Sequence, residues 1–230
     1  MIDRKKILAL IPARGGSKGI KNKNIKHVGG KPLICHTIDQ AKKSKYIDSV
    51  VVSTDTEKIR SIALKSGARV PFIRPKKLAT DTAKTVHVVT HALEMLKELG
   101  EMYDVLILLQ PTQPLRSVRD IDNALELFVE KKGKSVVSVC EAHNLLLMRK
   151  IKKNGLVLSV QDRPSDVRRQ DMENFYVVNG AIYINKVSDI SDSTSFNDNA
   201  IAYIMPKSRS VDIDEDFDLF LADLLISKGK

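Results

Sequence analysis

The chain has 230 residues, 43% of them hydrophobic and 29% charged, which suits one domain with a sizeable core, or a domain with an insertion, and excludes a disordered chain. Its two cysteines, Cys35 and Cys140, form no disulfide framework or metal-binding spacing, and no apolar run reaches the length of a membrane span or signal peptide. A soluble, cytoplasmic protein without membrane partners is therefore expected. The net charge of +10 is concentrated, because residues 1–31 hold nine Lys or Arg against Asp3 alone. A nucleic-acid binder would spread its basic residues over a face or helix and interleave aromatics. With aromatics at 5% and no Trp, no nucleic-acid partner is expected.

Strand and helix signals alternate through the first 140 residues. KKILALIPA reads as a buried strand, and PLICHTIDQAKKS, with Pro32 at its start, as the helix that follows. DSVVVST and TEKIRSIALKSG repeat the pattern, with Gly67 closing the helix. Val86, Val89, Leu93, Leu96 and Leu99 recur at helical spacing, YDVLILLQ is a third strand, and VRDIDNALELFVEKKG leads into the strand KSVVSVC. Strict alternation implies an α/β fold: a mostly parallel sheet covered by helices, with functional loops at the carboxyl ends of the strands.

The pattern changes after residue 140. MRKIKKNGLVLSV carries Asn154-Gly155 between two β-like runs, a hairpin signal, and FYVVNGAIYI follows a polar, arginine-bearing segment. This predicts an inserted β-rich subdomain over 141–186, within a main domain of 1–140 and 187–230. A polar loop (SDISDSTSFNDN), a strand (AIAYIMP) and an amphipathic helix over about 216–226 complete the chain.

Behind the first strand comes PARGGSKGIKNKN, which has three glycines and no acid. It fits neither the G-x-x-x-x-G-K-[ST] order of a P-loop nor G-x-G-x-x-G. A loop at a strand end can still offer backbone N–H groups to anionic oxygens, while Arg14, Lys18 and Lys23 spread charge over a triphosphate. The alternative is a glycine-rich surface turn with solvated lysines, a description that suits Lys5, Lys6 and Lys26 better.

VDIDEDFD, at 211–218, is the other charged signature. In an extended segment Asp212 and Asp214 share one face while Val211 and Ile213 turn inward, which suits one hard cation. Phe217 and Asp223 stand where a calcium loop needs Gly and Glu, so the pattern argues against an EF-hand. Acids before an apolar helix also cap it, and Asp216 is placed nearest that cap. The five histidines offer no ligand spacing. His87 and His91 lie one helical turn apart but lack the glutamate of H-E-x-x-H.

ARGGSKGIKNKN, RPKKLATDTAKT (74–85), LLQPTQPLR (108–116), RRQD with YVVNGAIYI (168–184) and VDIDEDFD occur in this order over nearly the whole chain. Together they resemble the CMP-sialic acid synthetase family of cytidylyltransferases. The resemblance implies a Rossmann-like nucleotidyltransferase sheet with an inserted dimerisation subdomain. It also implies a homodimer and a reaction that joins CTP to a nine-carbon 2-keto sugar acid with release of pyrophosphate. N-acetylneuraminic or legionaminic acid is expected first, with pseudaminic acid or the eight-carbon acid KDO as alternatives. It places Arg14, Gly16, Ser17, Lys18, Lys23 and Asn24 on the nucleotide and its phosphates, and Arg74, Ala83 and Thr85 by cytosine and ribose. Gln110, Arg168 and Gln170 go to the sugar acid, the last two across a dimer interface that Phe175, Tyr176, Ile182 and Tyr183 would help to form. Asp212 and Asp214 go to Mg2+, and Arg14, Lys18, Lys23, Asp212 and Asp214 form the catalytic set. Gln113 stands where a small, serine-like residue is usual. Another sugar-nucleotide enzyme, such as a glycosyltransferase, stays open as an alternative class, since D-x-D elements occur there too.

Overall fold

The computed structural model describes residues 2, 4–142, 147–160 and 173–229. In chain order its principal elements are β1 (Ile7–Pro12), β2 (His27–Val28), β3 (Lys31–Pro32), α1 (Leu33–Lys43), β4 (Ser49–Ser53), α2 (Glu57–Lys65) and α3 (Thr85–Glu98). There follow β5 (Val105–Leu108), α4 (Val118–Glu130), β6 (Val136–Glu141), β7 (Arg149–Ile151), β8 (Val157–Ser159), β9 (Tyr176–Lys186), β10 (Ile201–Ile204) and α5 (Asp216–Lys228). The main sheet has six strands in the order β10-β6-β9-β5-β1-β4. β1 pairs parallel with β4 and β5, and β10 parallel with β6, whereas β9 pairs antiparallel with both β5 and β6. Five strands thus share one direction and β9 alone opposes them, giving the α/β fold with a mainly parallel sheet.

The sheet sorts its apolar residues by period two. Ile7, Ala9 and Ile11 of β1 face a core that includes Ile34 and Ile38 of α1, Ile59 of α2 and Leu125 and Phe128 of α4. Leu8 and Leu10 face the other side, with Val86, Val89 and Leu96 of α3. A strand buried on both faces must be apolar throughout, which is why ILALIP shows no alternation. Caps fix where helices begin. The Thr56 hydroxyl accepts from the Ile59 N–H at 3.4 Å to open α2, and Ser117 and Asp120 form a reciprocal capping box on α4.

β9 corrects the expected division of the chain. Residues 176–186 were assigned to the insertion, yet β9 is the strand shared by β5 and β6 in the main sheet. Ile182 is fully buried and Tyr183 is 7% exposed, so neither is free to form an interface; Tyr176 and Val177 are exposed. Among the described strands of this part of the chain, only the β7-β8 hairpin stands outside the main sheet.

β9 also carries a bulge. Its register against β6 shifts between Val137 and Val139, with Tyr183 and Val178 as the flanking partners, and Gly180 sits there at φ +73°. That left-handed conformation is open to glycine and strained for side chains with a Cβ. Asn179 anchors the bulge. Its Oδ1 accepts from the Ser138 hydroxyl at 2.6 Å, its Nδ2 donates to Ser210 Oγ at 2.9 Å, and its carbonyl accepts from Gln113 Nε2.

α5 packs through a third apolar cluster in which Ala222 meets Ile20, Val28, Leu33 and Ile213. This cluster joins the loop after β1 to the segment carrying the two aspartates, although they lie nearly 200 positions apart in the chain.

Candidate active site

The carboxyl ends of β1 and β5 open into a cleft of about 630 Å³. Arg14, Ser17, Lys18, Lys23 and Asn24 line it from the loop after β1, and Arg74, Ala83 and Thr85 from the segment leading into α3. Gln110 reaches it from the end of β5, and Asp214 from the segment before α5. Gly16 lies on the loop but not on the wall, and Arg168 and Gln170 fall outside the described residues.

The loop is held by bonds that the sequence does not announce. The Gly15 N–H donates to Asp55 Oδ1 at 2.8 Å, so one of the amides expected for an anion is already satisfied. Asn24 is 7% exposed and donates its side-chain amide to the Arg14 carbonyl at 2.9 Å, tying the two ends of the loop together. Gly19 is needed for close approach, because a Cβ there would lie 2.5 Å from the Asp214 carbonyl oxygen. Lys23 exploits the same approach. Its Nζ donates to the Ile213 carbonyl at 2.6 Å and to Asp214 Oδ1 at 2.9 Å.

Across the cleft, Arg74 is 4% exposed, and its Nε and Nη2 have no hydrogen-bond partner among the described residues. Burial lowers its pKa, partly offset by Asp55, whose Oδ1 lies 3.9 Å from Nη2. A buried guanidinium with spare donors on a cleft wall is a ready site for a polar, electron-rich group.

The two aspartates have different surroundings. Asp214 lines the cleft. Asp212 lies beside the bulge, where a Cβ on Gly180 would be 3.7 Å from its Oδ2. Desolvation raises the Asp212 carboxyl pKa, opposed by a bond to Thr112, and Asp214 adds to the rise. The expected cap is also corrected. Asp218, rather than Asp216, closes α5, its Oδ2 accepting the Asp214 and Glu215 N–H groups at 3.0 and 2.9 Å. The carboxylates of Asp212 and Asp214 are therefore not spent on capping.

A second cavity of about 450 Å³ shares Thr85 and Gln110 with the cleft and is otherwise lined by Leu108, Tyr183 and the loop 192–197 among others. The Tyr183 hydroxyl donates to Asn197 Oδ1 at 3.0 Å, and its ring meets Phe196 edge to face at 6.1 Å. Burial and the nearby Asp212 push the Tyr183 pKa up to about 12, so it stays a neutral donor. Sequence reasoning missed this cavity: SDISDSTSFNDN reads as an ordinary polar loop, and its available signals were two apolar residues, Ile190 and Phe196, which both pack against the core.

Arg116, 2% exposed, supports the backbone around Gln110. It donates to the carbonyls of Ala181 at 2.6 Å and Gln110 at 3.3 Å and to Thr37 Oγ1 at 2.7 Å. Burial pulls its pKa down to about 9, with Asp120 working against the drop, which still leaves it charged at neutral pH. It fixes the backbone from which Gln110 enters the shared wall.

The cytidylyltransferase family pattern matches residues 8–193. The chain is 37% identical over 225 residues to the CMP-N,N'-diacetyllegionaminic acid synthase of Legionella pneumophila, covering 96% of each chain. It is 34% identical over 222 residues to a pseudaminic acid cytidylyltransferase of Campylobacter jejuni, again covering 96% of each. In fold it resembles a solved CMP:2-keto-3-deoxy-manno-octonic acid synthetase complexed with CTP, with a TM-score of 0.74 at 16% identity over 98% of this chain and 100% of that one. The chain belongs to the cytidylyltransferase family.

Proposed function

We propose that this enzyme activates a nonulosonic acid with CTP, the nucleotide lying in the cleft and the sugar acid in the adjoining cavity. One observation carries the reading: residues from four distant segments converge on a basic cleft that shares Thr85 and Gln110 with a second, more neutral cavity. Arg14, Lys18 and Lys23 follow the triphosphate, while Arg74, Ala83 and Thr85 meet cytosine and ribose. Gln110 stands where the two substrates touch. The anomeric hydroxyl attacks the α-phosphorus in line, forming the new O–P bond as the bond to pyrophosphate breaks and the hydroxyl proton passes to solvent. Positioning and charge neutralisation supply most of the rate in such transfers.

Among the described residues no group of three His, Cys, Asp or Glu could hold a metal ion. The proposed ion is carried mainly by phosphate oxygens and water and held to the protein by Asp212 and Asp214, an arrangement that suits Mg2+. When bound, Mg2+ would neutralise charge on the phosphates around the reacting phosphorus. Lys23 holds Asp214 in register for that role.

The hairpin supports a homodimer. Ile151 is 75% exposed and Val157 57%, and Leu156 and Leu158 of the same hairpin are exposed as well, an apolar face of the kind that a partner buries. A second copy would cover it, and Arg168 and Gln170 would reach the sugar acid from across that contact.

Legionaminic or N-acetylneuraminic acid is the proposed acceptor. The 37% and 34% identities to the two relatives are too close to separate acceptors by themselves. A coupled pyrophosphate assay with CTP and a panel of N-acetylneuraminic, legionaminic and pseudaminic acids and KDO decides it. Pyrophosphate release with one of the first two, and CTP preferred over UTP and ATP, is the expected result. Turnover with none of the panel, or sugar transfer without pyrophosphate, overturns the reading.

A further inference from the structure

Two of the three cations assigned to the triphosphate are engaged by a single carboxylate of this chain. Arg14 Nη2 lies 2.6 Å from Asp81 Oδ1, and Lys18 Nζ lies 3.3 Å from Asp81 Oδ2. Arg14 Nη1 also donates to the Ala79 carbonyl at 3.4 Å, so the strand-end loop and the loop before α3 are tied through one guanidinium. Asp81 lies on the cleft wall itself. Its pKa is lowered, chiefly by the Arg14 bond, and so the carboxylate stays charged. With one oxygen on the guanidinium and the other on the ammonium, it meets these cations as two oxygens of a phosphate would.

We propose that Asp81 is a further determinant of nucleotide binding, an internal competitor for the phosphate subsite made by Arg14 and Lys18. A triphosphate reaching these side chains has to exchange with the carboxylate, and the loop 79–84 moves with Asp81 as it leaves. On the product side, return of Asp81 to the two cations favours departure of pyrophosphate. This rests on the reading of Arg14 and Lys18 as phosphate ligands given above. A stabilising role is a poor alternative, because the Lys18 side chain is 80% exposed and the Asp81 side chain 36%, and exposed ion pairs contribute little to folding. For the same reason the exchange costs little, and its effect is a tuning of affinity rather than a block.

The test is calorimetric titration of the full chain with inorganic triphosphate and with CTP, at low and moderate salt. It compares the native protein with Asp81→Asn, Arg14→Gln and the double variant. Asp81→Asn should bind inorganic triphosphate about three- to tenfold more tightly at low salt, with a smaller gain at moderate salt. Inhibition by pyrophosphate in turnover should strengthen by a similar factor. The gain should shrink in the Arg14→Gln background, since only Lys18 would then be left to release. Unchanged or weaker binding by Asp81→Asn overturns the inference. So does a gain that persists in full without Arg14, which would mark a long-range charge effect. If Arg14→Gln weakens triphosphate binding while Asp81→Asn has no effect, the phosphate site stands and only the competitor falls. If Arg14→Gln leaves binding unchanged, the phosphate assignment itself fails, and the inference with it.

Discussion

The loop after β1 and the β7-β8 hairpin are both short, lysine-rich and close to glycine turns, yet the fold treats them in opposite ways. The loop is satisfied within the chain: Lys23, with 13% of its side chain exposed, bonds Ile213 and Asp214, and Asn24, Gly15 and Gly19 each meet a specific partner. The hairpin pairs strand to strand, Arg149 with Ser159, Lys150 with Leu158 and Ile151 with Val157, and its apolar side chains are exposed. A rigid loop presents charge at fixed positions, as catalysis by positioning requires. An exposed apolar hairpin is costly alone and gains from a partner. The comparison predicts that damage to the loop is chemical and damage to the hairpin is associative.

The sharpest way to break that comparison is at the charged centre. Lys23→Ala, Asp212→Asn and Asp214→Asn should each lower turnover about 10²-fold or more, the scale of a lost electrostatic stabiliser. The two aspartate variants should also raise the Mg2+ concentration needed for the activity that remains. Lys26→Ala, on the same loop but exposed, should change turnover less than about twofold. Steady-state pyrophosphate release across a Mg2+ titration measures all four. Equal behaviour of Lys23→Ala and Lys26→Ala would mean that the loop is not the phosphate site, and activity persisting in excess chelator would remove the metal from Asp212 and Asp214.

Smaller in turnover is the effect expected of Ile151→Glu with Val157→Glu. Charge on both strands of the hairpin should give a monomer by light scattering and cost about tenfold in sugar-dependent turnover, with CTP affinity unchanged within about twofold. A monomeric native protein with full activity would show that the hairpin has another purpose.

Asp120 sharpens the comparison from the stability side. Its Oδ1 and Oδ2 each accept from Arg209 at 2.9 Å, Tyr203 donates to Oδ1 at 3.2 Å, and Ser117 donates its N–H and hydroxyl to Oδ2 at 2.9 and 2.7 Å. This fork fastens the segment leading to Asp212 onto α4. Burial by itself would raise the Asp120 carboxyl, but the bonds from Arg209 and Ser117 outweigh it and hold the pKa below its ordinary value. A depressed folded pKa contributes stability that is complete above the unfolded value of about 4 and is lost as the pH falls through the folded one. Asp120→Asn should therefore cost about 2 kcal/mol at neutral pH, with Arg209 partly in solvent, and lower the melting temperature by about 4–8 °C. The gap between the native protein and the variant should narrow below about pH 4. Thermal melts at pH 7 and pH 3 measure it, and a gap that does not change with pH would show that the fork contributes through packing rather than charge.

The sequence by itself determined the local features of this protein. Buried strands such as ILALIP, amphipathic helices and the hairpin turn are written in contiguous residues, because apolar periodicity and turn chemistry act over a few positions. Of the cleft-lining set, Arg14, Lys18 and Lys23 were legible from their charge on a glycine-rich loop at a strand end, whereas Ser17, Asn24, Arg74, Ala83, Thr85 and Gln110 were implied by the family resemblance. Tertiary structure alone decided which elements are neighbours. Tyr176–Lys186 has the composition of a strand in any sheet, and only long-range pairing put it between β5 and β6. The Asn179 bulge depends on Ser138 and Ser210, 41 and 31 positions away, and the contact of Arg14 with Asp81 spans two loops with no periodic signal. Such contacts depend on the summed packing of the whole chain, which no window of sequence contains.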